Sequence, residues 1–194
     1  MYGEDREGIG RSIATDRVGL LITRSDRYDA AIAGRLFSAA NQTNVTTTAV
    51  FADAAWTGLG VYNPAASGKD LVFHEFGWHQ EVLMDAAAGA GIGLFAATSS
   101  DAAVDVAIQG GKYGSTGSVA FASEGLTVAG GVLLRTGLGS TMTGTIATAP
   151  SLTMNIYNID GSIVIPPGYG LFTYTFDVST SNILFHFVWE EVSV

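Results

Sequence analysis

The sequence predicts an all-β protein, a jelly-roll-like antiparallel β-sandwich over residues 36–194 with an extended N-terminal arm over residues 1–35. Three observations carry that expectation. Runs rich in Val, Ile, Phe, Tyr, Thr and Trp recur at spacings of about 8–12 residues, punctuated by Gly, Asn, Pro, Ser and Asp. Glycine accounts for 25 of 194 residues, about twice its usual share, with only 4 Pro and no collagen-like period, as short strands and tight turns require. Charged residues make up 14%, below the ordinary ~25%, which marks a packed chain and not a disordered one.

Within the arm, Val18–Thr23 is the first strand-like run, and Ala31–Ser38, Val45–Ala52 and Thr57–Tyr62 follow. Asn63 to Asp70, with Pro64, Ser67 and Gly68, reads as a connection at one end of the sandwich, leading into Asp70–Trp78. The Ala-rich stretch from Asp85 predicts at most one helical turn, because Gly89, Gly91 and Gly93 disfavour a longer helix. Ile92–Thr98 and Val104–Gln109 continue the series, and Gly110, Gly111, Gly114 and Gly117 predict a flexible crossing between central strands. Ser118–Ala122, Leu126–Arg135, Ser151–Tyr157 and Gly161–Ile165 come next, before a sharp turn at Pro166-Pro167-Gly168. Gly170–Val178 and Asn182–Val192 are expected to pair as antiparallel neighbours around the hairpin loop Ser179–Asn182. In the last strand Phe185, Phe187 and Trp189 share one face, the expected core side, against Leu184, His186, Val188 and Glu190.

Composition excludes several classes of function. The absence of Cys removes disulfide frameworks, thiolate metal sites and cysteine nucleophiles. A net charge of −9 argues against nucleic acid as a partner. Met1 is followed by Tyr-Gly-Glu-Asp-Arg-Glu, not by a basic and then apolar leader, and Ala86 to Thr98 is too short to span a membrane, so neither secretion nor membrane insertion is expected. His74-Glu75-Phe76-Gly77-Trp78-His79 misses the zinc-protease spacing by one residue, and on a regular strand its two His face opposite ways. Neither Gly68-Lys69 nor Gly111-Lys112 has the context of a phosphate loop, and no Ser lies in a nucleophile elbow. The acid pairs Glu190/Glu191, Asp101/Asp105 and Glu81/Asp85 read as solvated surface carboxylates. No catalytic residue, metal ligand or cofactor site is expected, and His186 reads as a half-buried, hydrogen-bonded residue.

The charges are segregated. Residues 1–35 hold six Arg and six acids, whereas the following 159 residues hold three bases and twelve acids. The arm is therefore neutral and the sandwich carries the whole −9. Arg6, Arg11, Arg17, Arg24 and Arg27 are candidate contacts to a partner's carboxylates. A sandwich this poor in charge is expected to hide apolar surface between copies, and a closed homotrimer with the Phe185, Phe187, Trp189 strand near its axis suits that need.

Several phrases carry a resemblance. Gly34-Arg35-Leu36-Phe37-Ser38-Ala39-Ala40-Asn41-Gln42, Val45-Thr46-Thr47-Thr48, the run from Leu59 to Val72, and Asp160 to Gly168 resemble virion structural proteins of tailed bacteriophages, as does the closing Phe187-Val188-Trp189-Glu190-Glu191. The resemblance implies a trimeric jelly roll in the virion, assembled in the bacterial cytoplasm. Its role would be that of a capsid decoration or cement protein bound to the major capsid protein, with no catalytic residues. The alternative is a receptor-binding fibre or spike module that reads host glycans with Trp56, Tyr62, Tyr113 and Tyr169. A small sugar-active enzyme using two loop acids is the remaining, least supported reading.

Overall fold

The computed structural model describes residues 2–4, 10–12, 26–47, 56–80, 91–99, 106–112, 114, 117–140, 154–176 and 179–194. In chain order the elements are β1 (Tyr2–Glu4), β2 (Gly10–Ser12), α1 (Asp26–Ile32), β3 (Leu36–Ala40), β4 (Val45–Thr47), β5 (Trp56–Tyr62), β6 (Lys69–Gln80), β7 (Gly91–Ser99), β8 (Ile108–Gly110), β9 (Phe121–Leu126), β10 (Val128–Ser140), β11 (Met154–Ile165), β12 (Gly170–Thr175) and β13 (Ser179–Ser193). One sheet runs β10-β7-β12-β5-β9 and the other β11-β6-β13-β3-β8, with β4 also on β13. All pairings are antiparallel. From β3 onward the chain passes repeatedly from one sheet to the other. β3-β13-β6-β11 and β5-β12-β7-β10 are the two interleaved four-strand sets of a jelly roll, to which β8 and β9 add flanking strands. The all-β sandwich expected from the sequence is thus the observed architecture.

Between the sheets lies an aromatic ladder. Phe185, Phe187 and Trp189 of β13 stand beside Trp78, Phe76 and Phe73 of β6, with ring centroids 5.2 Å apart for Phe76–Phe187 and 5.4 Å for Phe73–Phe187. Leu59, Val61, Ile92, Leu94 and Leu171 close this core from the opposite sheet. The expected core face is correct, but these three aromatics are enclosed within one chain. Their packing partners are residues of the same chain.

A second cluster, Trp56, Phe95, Phe172 and Tyr174, covers the other face of the five-stranded sheet. Glycines make room for it. A Cβ on Gly60 would stand 2.5 Å from the Phe172 ring, and one on Gly93 would stand 2.4 Å from Tyr174. The Trp56 indole N–H donates to the Thr173 carbonyl at 3.0 Å.

Several sequence expectations need correction. The strand expected at Ala31–Ser38 is a helix followed by β3. Asp26 and Asp29 favour the start of α1, Ala30 and Ala31 its middle, and Gly34 its end. Gly34 takes φ 73°, and the N–H groups of Gly34 and Arg35 donate to the carbonyls of Ala31 and Ala30 in a Schellman closure. β12 and β13 do not pair. They lie in opposite sheets, because alternation specifies a half-buried strand without naming its neighbour. Ser151–Tyr157 and Gly161–Ile165 fall largely within the single strand β11. The glycines at 110–117 lie between edge strands β8 and β9, not between central ones. Val18–Thr23 lies outside the described residues, as does Asp85–Gly89.

Candidate functional site

The densest polar constellation among the described residues is on the outer face of the six-stranded sheet, where the arm meets the sandwich. Its geometry begins with two irregularities. In β6, His74 is skipped by both neighbouring ladders, since Phe73 and Glu75 pair with consecutive residues Trp189 and Val188 of β13. In β11, the chain loops out between Asn158 and Ile163, opposite the same point. Asp160 and Gly161 take φ 47° and 75° there. The bulge reverses the facing of the rest of β6, so Leu71 and Phe73 share the core with Phe76 and Trp78. His74 and His79 therefore share the outer face, correcting the expectation from a regular strand.

Arg27 of α1 fits over this notch. Its guanidinium donates to Asp160 Oδ1 at 2.9 Å, to Glu75 Oε2 at 3.4 Å and to the His74 carbonyl at 3.4 Å. Glu75 is shared, because its Oε1 lies 3.1 Å from His186 Nε2. Arg35, just past the helix, donates to Glu190 Oε1 at 2.9 Å, and His74 Nε2 lies 3.7 Å from the other oxygen of Glu190. His186 can lie flat because its strand partner is Gly77, where a Cβ would come within 2.0 Å of the imidazole. The arrangement is a clip that holds the base of the arm on the sheet through Arg-carboxylate pairs. Next to it a cavity of about 190 Å³ is bordered by Asn41, His79, Ile156, Leu184 and His186.

Two buried knots hold the ends of the sandwich. Asn63 donates through Nδ2 to the carbonyls of Lys69 and Ile165, at 2.7 and 3.0 Å. This ties the β5–β6 connection to the end of β11. Glu191 has its side chain closed from solvent and accepts from Lys69 Nζ (2.9 Å), Ser118 Oγ (2.6 Å) and the Val119 N–H (2.9 Å).

The expected site residues are distributed unevenly over this structure. Arg27 is in the clip. Arg11 lies in β2, which with β1 forms a two-stranded sheet of its own, and Arg6, Arg17 and Arg24 lie outside the described residues. Of the glycan-reading aromatics, Trp56 is fully buried and Tyr169 exposed, while Tyr113 lies outside the described residues. Asp101, Asp105, Glu81 and Asp85 also lie outside them. Glu190 and Glu191 do face opposite ways, but Glu191 is a buried structural carboxylate and not a solvated one. Sequence reading missed Glu75 and Asp160 as partners of Arg27. The Asp160-Gly161 pair, a turn signal inside an apolar run, was the available sign. Among the described residues no group of three or more His, Asp or Glu is placed to hold a metal ion.

The fold and clip define a jelly-roll sandwich with an N-terminal segment fastened to its outer face. The chain matches no family model, no curated protein and no solved structure.

Proposed function

We propose that the protein is a virion structural protein of a tailed bacteriophage, a capsid decoration or cement protein that binds the shell as a homotrimer and stabilises it. The observation that carries this reading is the division of the chain. A charge-balanced, Arg-rich segment precedes an acidic jelly roll, and the base of that segment is clipped to the sandwich through Arg27 and Arg35. Those two guanidinium groups are committed to carboxylates of the same chain. Arg6, Arg11, Arg17 and Arg24 are left as the candidates for carboxylates of the major capsid protein.

The resemblance of the chain's phrases to phage virion proteins supports the same assignment. With Trp56 consumed by packing, the aromatic platform of a glycan-reading module loses a member. The decisive measurement is the protein's position and copy number in purified particles. Regular shell sites occupied in multiples of three support the reading, and absence from the shell overturns it.

A further inference from the structure

We propose that the β11 edge of the six-stranded sheet, over Met154–Asn158, is the surface through which one copy of this chain meets another. The inference rests on the self-association in the proposed function and names its surface. Within the described residues β11 has β6 on one side and no strand on the other. From Met154 to Asn158 it pairs with β6 in unbroken register, from His79 to Glu75. Soluble proteins guard such edges with charge, proline or bulges. The neighbouring edge strand β10 follows that practice, with three register shifts and Arg135 among its residues. Met154 to Asn158 carry no charge, no proline and no register shift, and the first charge on the strand is Asp160, in the loop-out that follows.

Apolar groups are exposed on both faces of this edge. Ile156 is 63% exposed and the next residue, Tyr157, 41%, and successive residues of a strand point opposite ways. Leu138, near the end of β10, lies against this part of the sheet, since the Trp78 indole donates to its carbonyl and Trp78 is the strand partner of Asn155. Ile156 also forms the rim of the 190 Å³ cavity, which can receive an anchoring side chain from an added strand. A second copy is the occupant that the charges favour. Two chains of net −9 repel over most of their surface and can approach without like-charge contact along the charge-free stretch Met154–Asn158.

The test is the solution mass of the full chain and its variants by sedimentation equilibrium, with far-UV circular dichroism and melting temperature as the check on folding. Ile156→Lys and Tyr157→Glu lie at exposed positions of the edge and are expected to fold normally and shift the assembly at least tenfold toward monomer. Tyr169→Lys, exposed elsewhere, is expected to leave it intact. A monomeric parent chain, edge variants that assemble as the parent does, or equal disruption by Tyr169→Lys would each overturn the proposal. The outcome is separable from the virion reading. A dimer dispersed by the edge variants supports this surface and removes the trimer. A chain found on particles whose assembly ignores those variants does the reverse.

Discussion

Glu191 stands on the core-facing side of β13, following Phe185, Phe187 and Trp189 at intervals of two, and so carries a carboxylate into a place usually given to an apolar side chain. It is tolerable because three donors converge on it. Glu191→Ala would strand those part-buried donors, and the expected loss is about 1–3 kcal/mol of unfolding free energy in urea titrations. Glu191→Gln, which keeps one acceptor oxygen, should lose less. The alternation that placed the aromatics inward also places Glu191 inward. It was legible in the period of the strand but hidden by residue type, since a Glu-Glu pair near a chain end resembles a solvated one. Tyr174 offers a second residue-scale prediction. Desolvation in the aromatic layer raises its phenol above the ordinary value of about 10. The folded state thus holds the proton more tightly than the unfolded state. Its contribution to stability is complete below about pH 10 and declines as pH rises through the raised folded value. Alkaline melting curves should fall more steeply for the parent chain than for Tyr174→Phe.

At the scale of elements, strands with strong alternation and clear punctuation were legible: β5, β6 and β7 lie within two residues of expectation at each end. What failed was information that does not reside in one element. Pairing of β12 with β5 and β7, and not with β13, is decided by which strand covers which across the whole core. The bulge at His74 is invisible in composition, and its consequence is the coincidence of Glu75, His186 and Asp160 around Arg27. α1 was missed because its seven residues are too few for a convincing helical period. The clip is exposed at Arg27 and more so at Asp160, where solvent screening leaves an ion pair worth well under about 1 kcal/mol. Arg27→Ala should therefore barely move the global unfolding midpoint. Hydrogen exchange at the α1 amides should rise severalfold in the same variant, because a seven-residue helix depends on its tertiary contacts. Unchanged exchange in α1 would show that Arg27 does not hold the arm's base.

For the whole molecule, the arm and the sandwich are set apart by charge, and that separation makes the arm's role measurable. Residues 1–25 hold Arg6, Arg11, Arg17 and Arg24 against Glu4, Asp5, Glu7 and Asp16, a balanced set whose removal leaves the net charge at −9. The inter-sheet core is built from Phe37 onward, and the clip uses Arg27 and Arg35. A chain starting at residue 26 should keep both, with a melting temperature close to that of the parent. Its colloidal and long-range electrostatic behaviour should also be unchanged. Any loss of shell binding by that chain then reports the specific contacts of the arm and not a change in folding or overall charge. On the function proposed above, the expected result is loss of capsid binding in co-sedimentation with particles lacking the protein. For the full chain, binding should weaken as salt rises from about 0.1 to 1 M, where the screening length falls from about 10 to 3 Å. Restoring residues 1–25 with Arg6, Arg11, Arg17 and Arg24 all changed to Gln should reproduce the loss. Shell binding by the shortened chain equal to that of the parent would move the capsid contact off the arm and onto the acidic sandwich itself.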